Sequence, residues 1–265
     1  MSYLNFLLLY LALPIVIMAA TLPKPLAGRG NKRARWSIAL VCIIAFVYTT
    51  PWDNYLVYRE VWWYGPDRVL GTIFYVPYEE YAFFILQPIF TGLLFYHILG
   101  RNKEWTSQPL PPWLSSPQLV GSILYAALTI AGFWFLFFGD DSALYMGLIL
   151  SWAAPVLLGM WIYGGSLLWG MMRWMAGGAV AGSTVYLWIA DWVAISDGIW
   201  EISSEYTFGI NPFGLPIEEA TFFLVTNLLV VQGVALFLTG DLISKQDMRS
   251  ETPASKSPVS SSLDT

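Results

Sequence analysis

Charge is scarce in this chain of 265 residues: 12% are charged and 57% hydrophobic, with a mean hydropathy of +0.57. Soluble domains carry about a quarter charged residues, so the composition excludes an ordinary soluble enzyme and points to an integral membrane protein. Cysteine is nearly missing. Cys42 stands alone within an apolar run, which excludes a disulfide framework and a thiolate metal site. His97 is the single histidine, near the end of another apolar run; a His-rich metal site is excluded, and the residue reads as an interface histidine. No Walker motif is present and no G-x-G-x-x-G follows a strand, so nothing marks a nucleotide, flavin or nucleic-acid partner. A convincing Ser/His/Asp set for nucleophilic catalysis is also lacking. Lys24, Lys32, Lys103, Lys245 and Lys256 all fall between or beyond the apolar runs, which leaves no membrane-embedded lysine for a retinal Schiff base.

What is present are apolar blocks of spanning length, roughly 20 residues each. They lie at about 3–21, 36–52, 80–99, 118–138, 143–163, 174–193 and 219–239, with Gly177, Gly178 and Gly182 weakening the sixth. The first has no basic stretch before it and no A-x-A-like cleavage site after it, and so reads as a retained span. Eleven of the thirteen basic residues fall on one side of this topology (Lys24, Arg29, Lys32, Arg33, Arg35, Arg101, Lys103, Arg173, Lys245, Arg249, Lys256), leaving Arg59 and Arg68 opposite. The positive-inside rule predicts a multi-pass plasma-membrane protein, N-terminus outside and C-terminus cytoplasmic. The polar, Ser-rich residues 241–265 read as a disordered tail.

The sequence also repeats itself. VPYEEYAFF (76–84) is matched by LPIEEATFF (215–223), with Pro77 and Pro216 139 residues apart; upstream, Asp53 and Trp62 match Asp191 and Trp200 at 138. A shared polar pattern of Asp, Trp and Pro-x-Glu-Glu is far harder to produce by chance than shared apolar pairs. It predicts an all-α protein of seven transmembrane helices in a 3+1+3 plan: a three-helix repeat over 1–100, a linker helix within 101–141, and a second repeat over 142–240. An odd linker makes the repeats parallel, so both acid motifs reach one membrane face and converge on one cavity.

Each proline suits the first turn of a helix, placing Glu79, Glu80, Glu218 and Glu219 at two helix N-termini. Acids there complement the helix dipole by about 0.3–1 kcal/mol, which alone would account for one glutamate. Two pairs on repeat-related helices favour function, because ionisable groups at membrane depth are costly. Adjacent helical positions point about 100° apart, so at most one acid of each pair faces a cavity squarely. Phe83, Phe84, Phe222 and Phe223 lie one turn deeper. A carboxylic acid above an aromatic wall suits alkene protonation: the acid delivers a proton, π faces stabilise a carbocation, and a carboxylate takes a proton back. A four-carboxylate metal site would need help from Asp53 and Asp191, and no metal is expected.

With Asp and a Trp-rich stretch before each motif, VPYEEYAFFILQP and GLPIEEATFFLVTNLLVVQG resemble the fused form of the heterodimeric-type lycopene cyclases over about residues 1–240. That family occurs as paired small subunits in bacteria, fused chains in archaea, and a domain of bifunctional fungal enzymes. The resemblance implies a membrane isomerase of carotenoid biosynthesis that cyclises the ψ ends of lycopene to β-ionone rings by acid–base chemistry, giving γ- and then β-carotene with no cofactor. It implies Glu79, Glu80, Glu218 and Glu219 as the catalytic set, Asp53 and Asp191 as supporting carboxylates, and Trp62, Phe83, Trp200 and Phe222 as cation-stabilising, substrate-binding residues. Expected partners are lycopene and other lipid-dissolved carotenoids, membrane lipids and other carotenoid-pathway enzymes. The alternatives are a cyclase of C50 carotenoids and a 3+1+3 transporter, although transporter sites lie nearer the midplane.

Overall fold

The computed structural model describes residues 1–22, 30–101, 115–171 and 176–251. Among the described residues, seven helices are long and apolar enough to cross a membrane. They are α1 (Tyr3–Ala20), α2 (Gly30–Tyr58), α3 (Tyr78–Arg101), α4 (Ser116–Phe138), α5 (Leu144–Met171), α6 (Gly177–Ser196) and α7 (Ile217–Glu251). The chain is thus an all-α, multi-pass membrane protein. Large apolar side chains such as Val16, Val47, Ile130 and Phe137 point outward, which suits a hydrocarbon solvent.

Helix ends differ from the expected spans. α2 continues to Tyr58, six residues past the expected 52, which puts Asp53 inside the helix near its end. α7 continues to Glu251, so residues 241–251 are helical where a disordered tail was expected; 252–265 lie outside the described residues, as do Lys24, Arg29, Lys103 and Arg173. Polar residues end an apolar run without ending the backbone hydrogen-bond ladder, which explains both differences. Pro77 and Pro216 precede the first helical residues of α3 and α7 by one position. Short strands accompany the helices: β1 (Trp62–Tyr64), β2 (Thr72–Ile73), β3 (Val76–Pro77) and β4 (Trp200–Ile202).

α4 packs along α5. Gly132 permits the close approach, since a Cβ there would sit 2.6 Å from the backbone nitrogen of Ser151. In the bundle interior, Gln87 donates to Asn227 at 2.8 Å, Thr91 to Asn227 at 2.7 Å, and Asn227 to Thr184 at 3.1 Å, locking α3, α7 and α6 in register. Buried polar groups in an apolar medium are costly unless paired, so this cluster fixes depth as well as contact.

The loop end of the bundle is built from pairs of matching contacts. β1 pairs antiparallel with β4, Trp62 opposite Ile202, Trp63 opposite Glu201 and Tyr64 opposite Trp200. An offset of 138 carries Trp62 to Trp200 and Tyr64 to Ile202, so the pair is self-complementary about Trp63 and Glu201. Gly65 N–H donates to the Ile199 carbonyl, and Ser203 N–H to that of Val61. After α2 the chain turns through left-handed geometry at Glu60 (φ 58°), and after α6 at Gly198 (φ 65°), again 138 apart. Tyr3 N–H donates to the Arg68 carbonyl at 2.8 Å, and Tyr145 N–H to that of Tyr206 at 3.2 Å. These last bonds seat the starts of α1 and α5 beside the acid motifs.

Candidate active site

A small cavity of about 50 Å³ lies where four helix ends meet. Glu80 and Glu219 enter it from the first turns of α3 and α7, Asp53 and Asp191 from near the C-terminal ends of α2 and α6. None of its lining residues is basic. Four carboxyls in so apolar a space cannot all carry charge, because burial and like charge both penalise ionisation.

Tyrosines set the geometry of the glutamates. Tyr3 donates to Glu80 Oε2 at 2.6 Å and Tyr145 to Glu219 Oε1 at 2.6 Å, each from the first turn of its helix. Tyr64 adds a second donor to Glu80 at 3.3 Å, whereas its counterpart at an offset of 138 is Ile202, which has no hydroxyl. Burial, then the charge of Glu80 beside it, pushes the Tyr64 phenol well above its usual value of 10, so it stays an O–H donor at neutral pH. The aspartates differ too. Trp200 Nε1 donates to Asp191 Oδ1 at 2.9 Å, while Asp53 Oδ2 and Asp191 Oδ2 are buried without a partner among the described residues.

Glu79 and Glu218 do not line the cavity. Glu79 Oε1 accepts from Leu70 N–H at 2.9 Å and Glu218 Oε1 from Phe208 N–H at 2.8 Å, two bonds again 138 to 139 residues apart. They fasten the incoming loops to the helix N-termini, and the roughly 100° step between helical neighbours sends the second acid of each pair inward instead.

The walls are aromatic. Trp62, Phe83, Trp200 and Phe222 all line the cavity, joined by Tyr3, Phe6, Tyr145 and Phe223. Trp200 meets Tyr3 edge-on at 5.0 Å and Trp62 meets Tyr145 edge-on at 5.4 Å, so the indoles brace the tyrosines that hold the glutamates. Behind Phe222, Trp52 stacks at 5.7 Å and an interplanar angle of 7°, and Trp152 stacks on Trp52 at 4.9 Å. Of the expected site residues, the structure brings together Glu80, Glu219, Asp53, Asp191, Trp62, Phe83, Trp200 and Phe222, and sets Glu79 and Glu218 apart. Sequence reasoning passed over Tyr3 and Tyr145, whose signal was a tyrosine at the start of an apolar span in each case.

A sequence model of the family described as lycopene cyclase matches residues 1–99 and 143–237. A lycopene beta-cyclase of Halobacterium salinarum is 38% identical over 240 residues, covering 89% of this chain and 95% of that protein. The bifunctional lycopene cyclase/phytoene synthase of Colletotrichum graminicola is 41% identical over 204 residues, covering 74% of this chain and 34% of that larger protein. That of Neurospora crassa is 32% identical over 241 residues, covering 88% of this chain and 39% of the relative. No solved structure matches. The chain belongs to the lycopene cyclase family.

Proposed function

We propose that this protein is a lycopene β-cyclase that closes the ψ ends of lycopene by acid–base chemistry at Glu80 and Glu219. A neutral carboxyl protonates C2 of the terminal C1=C2 alkene, leaving a tertiary cation at C1. The C5=C6 π bond attacks C1, so the C1–C6 bond forms and the cation moves to C5. Loss of the C6 proton to a carboxylate leaves C5=C6 and completes the β ring. One proton enters and one leaves, with no net redox change and no electron acceptor consumed. Repetition at the other end takes γ-carotene to β-carotene. The observation that carries this reading is the convergence of Glu80, Glu219, Asp53 and Asp191 in one aromatic-walled cavity without a basic residue among its lining. Acid–base participation of this kind contributes about 10²–10⁴-fold to rate, and the indole and phenyl faces around the acids favour cationic intermediates.

The proposal includes a 3+1+3 architecture in which α1–α3 and α5–α7 are parallel repeats and α4 is the linker. Its support is the self-complementary β1–β4 pair, the matched bonds of Tyr3 and Tyr145, and the two stretches matched by the family. In the plasma membrane the acid end would face outward, since Lys32, Arg33, Arg35 and Arg101 gather at the opposite end. Expression in lycopene-accumulating cells tests the function. Pigment chromatography is expected to show γ- and β-carotene; unchanged lycopene from an inserted protein would overturn it.

A further inference from the structure

A second, larger cavity of about 530 Å³ runs between α2, α3, α5 and α7. Phe83 and Phe222 line both this groove and the acid cavity, so the two adjoin across those rings. From Phe222 the groove follows α7 to Phe237, and on α2 it extends from Tyr48 back to Arg33. Fifteen residues of helix at about 1.5 Å per residue make it about 22 Å long. Its wall is chiefly apolar, with Val41, Ile44, Met160 and Leu229 along its length.

We infer that this groove holds the unreacted polyene body of the substrate while one ψ end lies among the acids. The inference rests on the proposed cyclase activity and adds where the remainder of the molecule lies. A conjugated polyene is long, stiff and apolar, and it cannot fold back into an acid cavity of about 50 Å³. A straight apolar groove that begins at two of the reacting cavity's own wall residues fits such a body and keeps its hydrocarbon from water. Tyr48 and Trp152 form the near wall: the Tyr48 hydroxyl donates to the Trp152 carbonyl at 2.9 Å and the rings stack at 5.6 Å, fixing the groove's mouth beside Phe222. The other half has a different tyrosine contact at the matching position. Tyr186, 138 residues after Tyr48, donates to the Tyr10 carbonyl at 2.8 Å and stacks on Phe90 at 4.8 Å. The groove thus offers the polyene a path from the acid site past Phe83 and Phe222.

Gly233 sets the depth. It lines the groove eleven residues beyond Phe222, about 16 Å along α7, and a Cβ there would meet only Val41 at 3.4 Å and Met160 at 3.6 Å. Gly233→Phe would fill the far part of the groove and leave the near part open. The test compares kcat/KM for lycopene with that for a polyene carrying one ψ end on about half the carbon chain. Gly233→Phe, and Val41→Trp from the facing wall, are expected to lower the long-to-short ratio about tenfold or more, the scale on which apolar pockets discriminate by size. Gly159→Leu, at a position with nothing within 4 Å of an added Cβ, should leave the ratio unchanged. A ratio unaltered in folded Gly233→Phe and Val41→Trp would overturn the groove. Polyene retained on the purified protein supplies a second readout that needs no turnover. If wild type binds lycopene and Gly233→Phe loses it while neither turns over, the cyclase reading fails and the groove stands. If the variants lose phospholipid and keep lycopene, a lipid acyl chain is the occupant and the inference fails.

Discussion

Glu79 and Glu80 are neighbours in sequence and belong to different parts of the molecule, as do Glu218 and Glu219. The first of each pair is spent on the backbone: Leu70 N–H and Phe208 N–H point at Glu79 and Glu218. The second is held by tyrosine hydroxyls inside an aromatic cavity. A doubled glutamate is therefore two devices on one helical turn, an anchor for the loop and a carboxyl for the cavity. Within the inner pair a second contrast appears, because Glu80 has two phenolic donors and Glu219 has one.

The largest effect is expected where the inner acids lose their proton. Glu80→Gln and Glu219→Gln keep the shape of the side chain, and each should lower cyclisation about 10²-fold or more, measured by carotenoid chromatography on equal amounts of inserted protein. The outer acids should behave in the opposite way. Glu218→Ala leaves Phe208 N–H unpaired and should lower unfolding stability by about 1–3 kcal/mol, read as a lower thermal midpoint in detergent, with activity per folded molecule reduced far less than in Glu219→Gln. Equal losses of activity from inner and outer substitutions would erase the distinction.

The inner contrast can be sharpened with the tyrosines. Tyr145→Phe removes the hydroxyl donor of Glu219, whereas Tyr3→Phe leaves Glu80 its bond to Tyr64. A hydrogen bond contributes about 0.5–1.5 kcal/mol, so Tyr145→Phe should cost up to about tenfold in kcat, and Tyr3→Phe less. A double change of Tyr3 and Tyr64 to Phe should restore parity between the two sites. The smallest effect is expected from Trp200→Phe, which keeps an aromatic wall but removes the donor to Asp191; a severalfold loss, smaller than that of Tyr145→Phe, is the expected outcome.

The seven spans were legible because hydrocarbon demands long apolar runs, and the paired motifs because a polar pattern repeated at offsets of 138 and 139 is rare. Helix ends were less legible: Asp53 looked like a boundary residue and is helical, since α2 keeps its backbone bonds through Tyr58. Which acid of each pair turns inward could be narrowed to one but not chosen, because the rotational setting of a helix follows from packing against partners far away in sequence. Tyr3 and Tyr145 were hidden for another reason. Tyrosine at the end of a membrane span is expected at the interface anyway, and only the folded loops bring their hydroxyls to the glutamates.

Conversion of lycopene in deuterated water tests the central chemistry most directly. If a carboxyl in exchange with solvent protonates C2, mass spectrometry of the product will show one deuterium for each ring closed, in γ-carotene and in β-carotene alike. Rings formed with no deuterium would contradict proton delivery from such an acid.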